Sequence, residues 1–436
     1  MPTPVYRVLT LLTALVGSLP IGTNLGLLLV LWMLLRGELL TTRGAVLPGL
    51  SALGLPAAAV RRGWAALAHG AWTSAQLLVR WAALVQQEGQ WQAHSYGGYH
   101  PLAVDVTAIW RPRLQDCPTS HYSAVAGKAL PAIPLGVIAR VGSVERQRFG
   151  LPVGFVRANP ADPSASAHNR ALVRQALALR APDDALVFDR GFGVALLQEE
   201  GVPAYVVRVP KNFTARRAQP PAYRGRGRPP TRGALVRPLP RRRGHRTIAA
   251  TPPDHVTTWY EGARLVRADQ WTDLVLPDAP PGRPTFAAVA IHDPRYAQPW
   301  LLVTPLPLAP RQVRDLYRDR WPVEQLPLVG KQLLGAARQF VHAPESRQRL
   351  PELALLAGTG LTYLAATQPA VPTGFWDRRP QRTPGRLRRL LARSPFPQQF
   401  PWPHRLRPKA AVTAHLPKGF FGQRRRHATL PAAEAA

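Results

Sequence analysis

Acidic residues are scarce in this chain, so the few that stand in apolar surroundings are the first candidates for chemistry. Asp105 lies in the middle of LAVDVTAIW, and Asp189 lies in ALVFDRGFG, where an apolar run meets a turn of Arg190, Gly191 and Gly193. An ionised carboxylate is costly to bury without a partner. An acid on an apolar strand therefore either caps a turn, the commoner case for a lone aspartate, or faces a cation. Two such strands delivering their acids to the same end of a sheet favour a metal site. A pair of divalent ions about 4 Å apart needs several carboxylates converging on one point.

The third acid, Glu324, belongs to YRDRWPVEQLPLVGK, residues 317–331. Tyr317, Arg320, Glu324 and Lys331 are spaced 3, 4 and 7 apart. At about 100° per residue they fall within about 60° of one helical face. That face would present a carboxylate suited to a metal beside a phenol, a guanidinium and an ammonium suited to phosphate oxygens. The structural alternative is a solvated amphipathic helix with internal ion pairs. Pro322 and Pro327 interrupt the stretch, each removing an amide donor at a cost of ~3 kcal/mol inside a helix. Pro322 can open a new helix near its first position, but Pro327 cannot be accommodated that way. The shared face is therefore weakest for Tyr317 and Arg320.

The pattern Tyr-x2-Arg-x3-Glu-x6-Lys resembles the signature of DDE transposases of the insertion-sequence-four type. VDVTAIW and FDRGF match the settings of that family's first two acids, and the 135-position gap from Asp189 to Glu324 leaves room for its insertion. The similarity covers about residues 95–340. It implies a ribonuclease H-like catalytic core with an inserted subdomain before the glutamate. It implies that Asp105, Asp189 and Glu324 bind two Mg²⁺ ions, with Mn²⁺ as a substitute, and that Tyr317, Arg320 and Lys331 hold DNA ends. The expected partners are then double-stranded DNA, as terminal inverted repeats and target, and a second copy in a homodimer. Trp321 would stack on an extruded base, with core packing as its equal alternative.

The elements that must position these residues follow from the apolar pattern. The chain is expected to be α/β with a central mixed sheet. Residues 1–95 read as a helical N-terminal domain for binding DNA ends. Two of its helices are expected to break at Gly70, with Thr73 capping the second and Gln76 as its capping partner. Residues 96–210 and 286–370 read as the catalytic domain, carrying strands at PLAVDVTAIW, AIPLGVIARV, LPVGFVRA, ALVFDRGF and PAYVVRVPKN and helices at Ala167–Arg180 and Val194–Glu200. Residues 211–285 read as a basic insertion, and 371–436 as a loosely folded Arg/Pro-rich tail. From Val8 to Leu35 no residue is charged. Gly17, Pro20, Gly22 and Asn24 split that run into pieces too short for a membrane span, so buried helices and no membrane partner are expected.

Charge narrows the partner class. Fifty-six Lys and Arg against 24 Asp and Glu give a net charge of +32, which points to a polyanion. Thirteen Lys or Arg and no acid fall between Gly201 and Pro253. Within this arm, Arg226 and Arg228 of GRGRP are candidates for an A·T-rich minor groove or, failing that, for backbone contact. Arg208 and Lys211 flank the proposed catalytic sheet as phosphate contacts, and Arg190 joins them from the turn after Asp189. Cys117 is the only cysteine, which excludes an internal disulfide and a cysteine-rich zinc site. No Gly-rich loop ends in Gly-Lys-Ser/Thr, so nucleotide hydrolysis is not expected. The leading expectation is a cytoplasmic, nucleoid-associated transposase. The alternatives are a DNA binder without turnover and, third, a membrane-anchored basic protein.

Overall fold

A computed structural model describes residues 4–397 and 400, with 21, 224, 226–230 and 281 excepted. The apolar N-terminal run folds as α1 (Pro4–Val16) and α2 (Leu27–Arg36), separated by the Gly- and Pro-containing stretch the sequence marks as a break. Among the described residues no helix is long and apolar enough to cross a membrane. Four more helices follow: α3 (Glu38–Thr41), α4 (Val46–Ser51), α5 (Ala57–His69) and α6 (Ser74–Glu88). The expected capping box opens α6. Thr73 Oγ1 accepts from the Gln76 amide at 3.2 Å, and Gln76 Oε1 accepts from the Thr73 amide at 3.0 Å.

A large mixed sheet comes next. Its first strands are β1 (Trp91–Ala93), β2 (His100–Trp110), β3 (Ser120–Ser123), β4 (Lys128–Val144) and β5 (Gln147–Arg157). After α7 (Ala165–Leu179) come β6 (Asp184–Phe188), α8 (Val194–Glu199) and β7 (Tyr205–Arg208). The central strands stand in the order β5-β4-β2-β6-β7. β4 is antiparallel to β2 and β5, while β6 runs parallel to both β2 and β7.

The stretch read as a basic insertion carries strands that no apolar run announces. It forms β8 (Ala215–Arg217), β9 (Leu235–Val236), β10 (Arg241–Arg243), β11 (Arg246–Ile248), β12 (His255–Glu261) and β13 (Arg264–Val275). β10 and β11 make a separate hairpin. β13 pairs with β14 (Phe286–His292), which pairs with β15 (Trp300–Thr304), which in turn pairs with β7. One sheet of 13 strands results. β12 escapes detection because it is an edge strand whose residues are mostly exposed and polar, so no apolar run marks it.

Period-2 alternation decides what each face holds. Leu102 and Val104 of β2, with Leu186 and Phe188 of β6, pack against Leu172, Val173 and Ala176 of α7. The intervening residues face the other way. Ala103 meets Val323 and Leu326 of α10 (Trp321–Leu328). Ala185 and Val187 meet Val313, Leu316 and Tyr317 of α9 (Pro310–Arg318). The long α11 (Pro344–Thr367) and α12 (Pro384–Arg393) share a core with the N-terminal helices and one end of β4 and β5. α12 falls in the stretch expected to be loosely folded; its Leu387 and Leu391 are buried among the helix's four arginines, whose charge masks the apolar spacing. Residues 401–436 lie outside the described part.

Candidate active site

Sheet register brings the first two acids together. β2 and β6 pair as Ala103↔Val187 at their last matched position. Two residues beyond that pair stand Asp105, within β2, and Asp189, one residue past the end of β6, close enough for Asp189 to act on the Asp105 carboxyl. Both continue the row that faces α9 and α10, since each is two residues past a side chain packed there.

The residues of the 317–331 motif do not share one helical face. Tyr317 is in the last turn of α9, Arg320 lies at the junction and caps α10, Glu324 sits in the first turn of α10, and Lys331 lies in a π-helical turn, Val329–Leu333. The prolines account for the breaks. Pro322 occupies the first turn of α10, where no amide is needed, and Pro327 near its end is followed by the wider turn. The four side chains nevertheless converge on the two aspartates from above the sheet.

Arg320 is the hub. Its Nη2 donates to Glu324 Oε1 at 2.5 Å, and its Nη1 stands 3.6 Å from Asp105 Oδ2. The Tyr317 hydroxyl donates to Asp189 Oδ1 at 3.1 Å, and the Arg320 guanidinium lies 5.7 Å from the Tyr317 ring centre. Burial works against the Arg320 charge, but Tyr317, Asp189, Asp105 and Glu324 more than offset it and strengthen the cation. Its Nε and Nη1 are buried with no hydrogen-bond acceptor among the described residues. Burial pushes the Asp105 carboxyl up to about 6; Arg320 and the Val106 amide pull it down, while Glu324 and Asp189 add to the rise. Burial likewise raises the Tyr317 phenol, which keeps it a donor.

Lys331 reaches the same strand from the π turn. Its Nζ donates to Thr107 Oγ1 at 2.6 Å and lies 5.2 Å from the centre of the Trp110 ring. Burial lowers its ammonium to about 8, with Asp105 opposing that shift. Thr107 was not singled out in the sequence, although it stands two residues beyond Asp105 and alternation puts it on the same face. Asp319 was also passed over. It is fully buried beside Arg320, and no spacing rule marks it.

The remaining candidates spread around this centre. Trp321, expected either to stack on a base or to pack in the core, is 54% exposed. Arg190 follows Asp189 and is exposed, as is Lys211 beyond β7. Arg208 is half-buried, 5.9 Å from the centre of Trp300, whose ring meets Tyr317 edge-on at 5.3 Å. Arg226 and Arg228 lie outside the described residues. Among the described residues no three His, Cys, Asp or Glu side chains stand close enough together to hold one metal ion. The Arg320 guanidinium stands between Asp105 and Glu324. No protein-family model matches this chain, and no curated protein matches it either.

Proposed function

We propose that this chain is a DNA strand-transfer enzyme, a transposase resembling the insertion-sequence-four type, acting as a homodimer on the terminal inverted repeats of its own element and on target DNA. The observation that carries the reading is that the motif's side chains reach three acids distant in sequence: Arg320 bridges Asp105 and Glu324, and Tyr317 bonds Asp189. The strand order β5-β4-β2-β6-β7 with β4 alone reversed supports a ribonuclease H-like core. The strands of residues 211–285 then correspond to the inserted subdomain, and the helices of residues 4–88 to the region that contacts DNA ends.

An all-oxygen donor set of three carboxylates suits a hard divalent cation. The crowding of like charge that helps to raise Asp105 would be relieved by one. Asp105, Asp189 and Glu324 would hold Mg²⁺ or Mn²⁺, which when bound lowers the pKa of a water and stabilises a leaving oxygen. The chain's own side chains supply orientation and charge. Tyr317 fixes Asp189 through its donated hydrogen bond, Arg320 supplies a guanidinium whose Nε has no acceptor among the described residues, and Lys331 adds a cation along β2. Exposed Trp321 offers a ring to an unpaired base. Two phosphoryl transfers then share one site. Water attacks at the element's end, and the freed 3′-hydroxyl attacks the target; only the nucleophile changes.

A Mg²⁺-dependent nicking assay on a duplex carrying the element's ends tests this. Asp105→Ala, Asp189→Ala and Glu324→Ala should each reduce nicking by about 10⁴-fold while leaving DNA affinity nearly unchanged. Any one of them that cuts at the wild-type rate removes that acid from the site. A second reading, a DNA binder without turnover, is favoured by the guanidinium standing between Asp105 and Glu324. Tight end binding with no nicking in Mg²⁺ or Mn²⁺ would select it.

A further inference from the structure

Asp319 is a fully buried carboxylate at the break between α9 and α10, one residue before Arg320 and two after Tyr317. A buried anion of this kind is tolerated only when paired and hydrogen-bonded, and its three partners come from two separate parts of the chain. His94 Nδ1 lies 2.6 Å from Asp319 Oδ2, and the Tyr96 hydroxyl donates to the same oxygen at 2.8 Å. Arg148 Nε, on β5, stands 3.1 Å from Oδ1. The other imidazole nitrogen of His94 is 2.6 Å from Ser143 Oγ on β4. Burial and the neighbouring carboxylate both raise the Tyr96 phenol, so it remains a donor.

These contacts tie the helix break to the segment that leads into β2, the strand of Asp105, and to the two strands beyond it. At the same break, Tyr317 meets Asp189 and Arg320 meets Asp105 and Glu324. None of the Asp319 partners lies among the groups proposed to touch DNA or metal. We propose that Asp319, clamped by His94, Tyr96 and Arg148, is a positioning residue: it fixes the α9–α10 break so that Arg320 and Glu324 stand in register with Asp105. The inference rests on the transposase reading of that site. Groups that orient direct ligands in this way typically carry about 10–100-fold in metal affinity or activity, and a displacement of about 1 Å at a reacting centre costs about 10²-fold.

The test uses the full chain with Asp319→Ala, Asp319→Asn and His94→Ala. It measures kcat and KM for nicking of the end duplex, Mn²⁺ binding by water-proton relaxation without DNA, and thermal melting. Asp319→Ala is expected to lower kcat by about 100-fold, with KM within about threefold, and to weaken Mn²⁺ binding by about tenfold. Asp319→Asn keeps the side-chain shape and one acceptor oxygen for His94 and Tyr96, so it should recover most of the kcat and Mn²⁺ affinity. His94→Ala should shift both in the direction of Asp319→Ala. The proposal is overturned if folded Asp319→Ala leaves kcat and Mn²⁺ affinity at wild-type values. It is equally overturned if the alanine variant unfolds while folded Asp319→Asn and His94→Ala leave both quantities unchanged, since Asp319 would then serve stability alone. A wild-type chain that neither nicks nor binds Mn²⁺ sinks the enzyme reading itself, which separates that failure from this one.

Discussion

Lys331 shows how the site handles charge one residue at a time. Burial holds its ammonium at about 8, well below the ordinary lysine range. A lowered value in the folded chain means that folding favours the neutral amine. The stability this group contributes is present above the ordinary lysine value and is lost as pH falls through about 8. At neutral pH most of the population is still charged, held by Thr107 and the Trp110 face. A phosphate near Nζ would favour the cation, and binding would take up a proton above pH 8. Affinity for a duplex end should therefore fall between pH 7 and pH 9, and the log–log salt slope should become shallower by about one. Lys331→Met should show the shallow slope at both pH values. Wild-type binding that is flat across this range would remove Lys331 from the phosphate contacts.

Elements, rather than individual spacings, decide whether such residues meet, and the sequence was legible to different depths at the two levels. The strands of Asp105 and Asp189 were visible because they are buried on both faces and read as apolar runs. That the two acids come near each other depends on a pairing register no single segment encodes. The four spaced residues of the 317–331 motif do converge, but through a helix break, a short helix and a π turn. Pro322 and Pro327 signalled the interruption without fixing its shape. Asp319, His94 and Tyr96 carried no signal, because their association joins residues more than 220 positions apart. The π turn is itself held by close backbone packing on α11. A Cβ at Gly330 would come within 3.1 Å of the Ala354 carbonyl oxygen, and one at Gly358 within 3.2 Å of the Gly330 nitrogen. A side chain here requires the neighbouring backbone to give by a few tenths of an ångström, and a branched one requires more. Gly358→Val should lower unfolding free energy by about 1–3 kcal/mol in urea titrations and weaken end binding as Lys331 moves. An unchanged unfolding midpoint would show that the contact is not tight.

At the scale of the whole molecule, the acids are too few to neutralise the arginines and many are already committed. Asp293 and Glu261 bind buried Arg314, Glu352 binds Arg157, Glu200 binds Arg170 and Arg174, and Asp184 binds Arg140. These pairs remove anions from the surface without exhausting its cations, so most of the net +32 remains available to a polyanion. Such binding releases condensed counterions, with a log–log slope near −0.9 per phosphate contacted. If the charge is gathered on one DNA-facing surface, about six or more contacts are expected, giving a slope of about −5 or steeper between 50 and 200 mM salt. The β10–β11 hairpin, with Arg242 and Arg246 exposed, should contribute to this in a sequence-independent way. Arg242→Ala with Arg246→Ala should make the slope shallower by about one to two for an element end and for unrelated duplex alike, with Mn²⁺ binding unchanged. Fluorescence anisotropy over that salt range measures both slopes. A selective loss for the element end alone would show instead that the hairpin reads sequence.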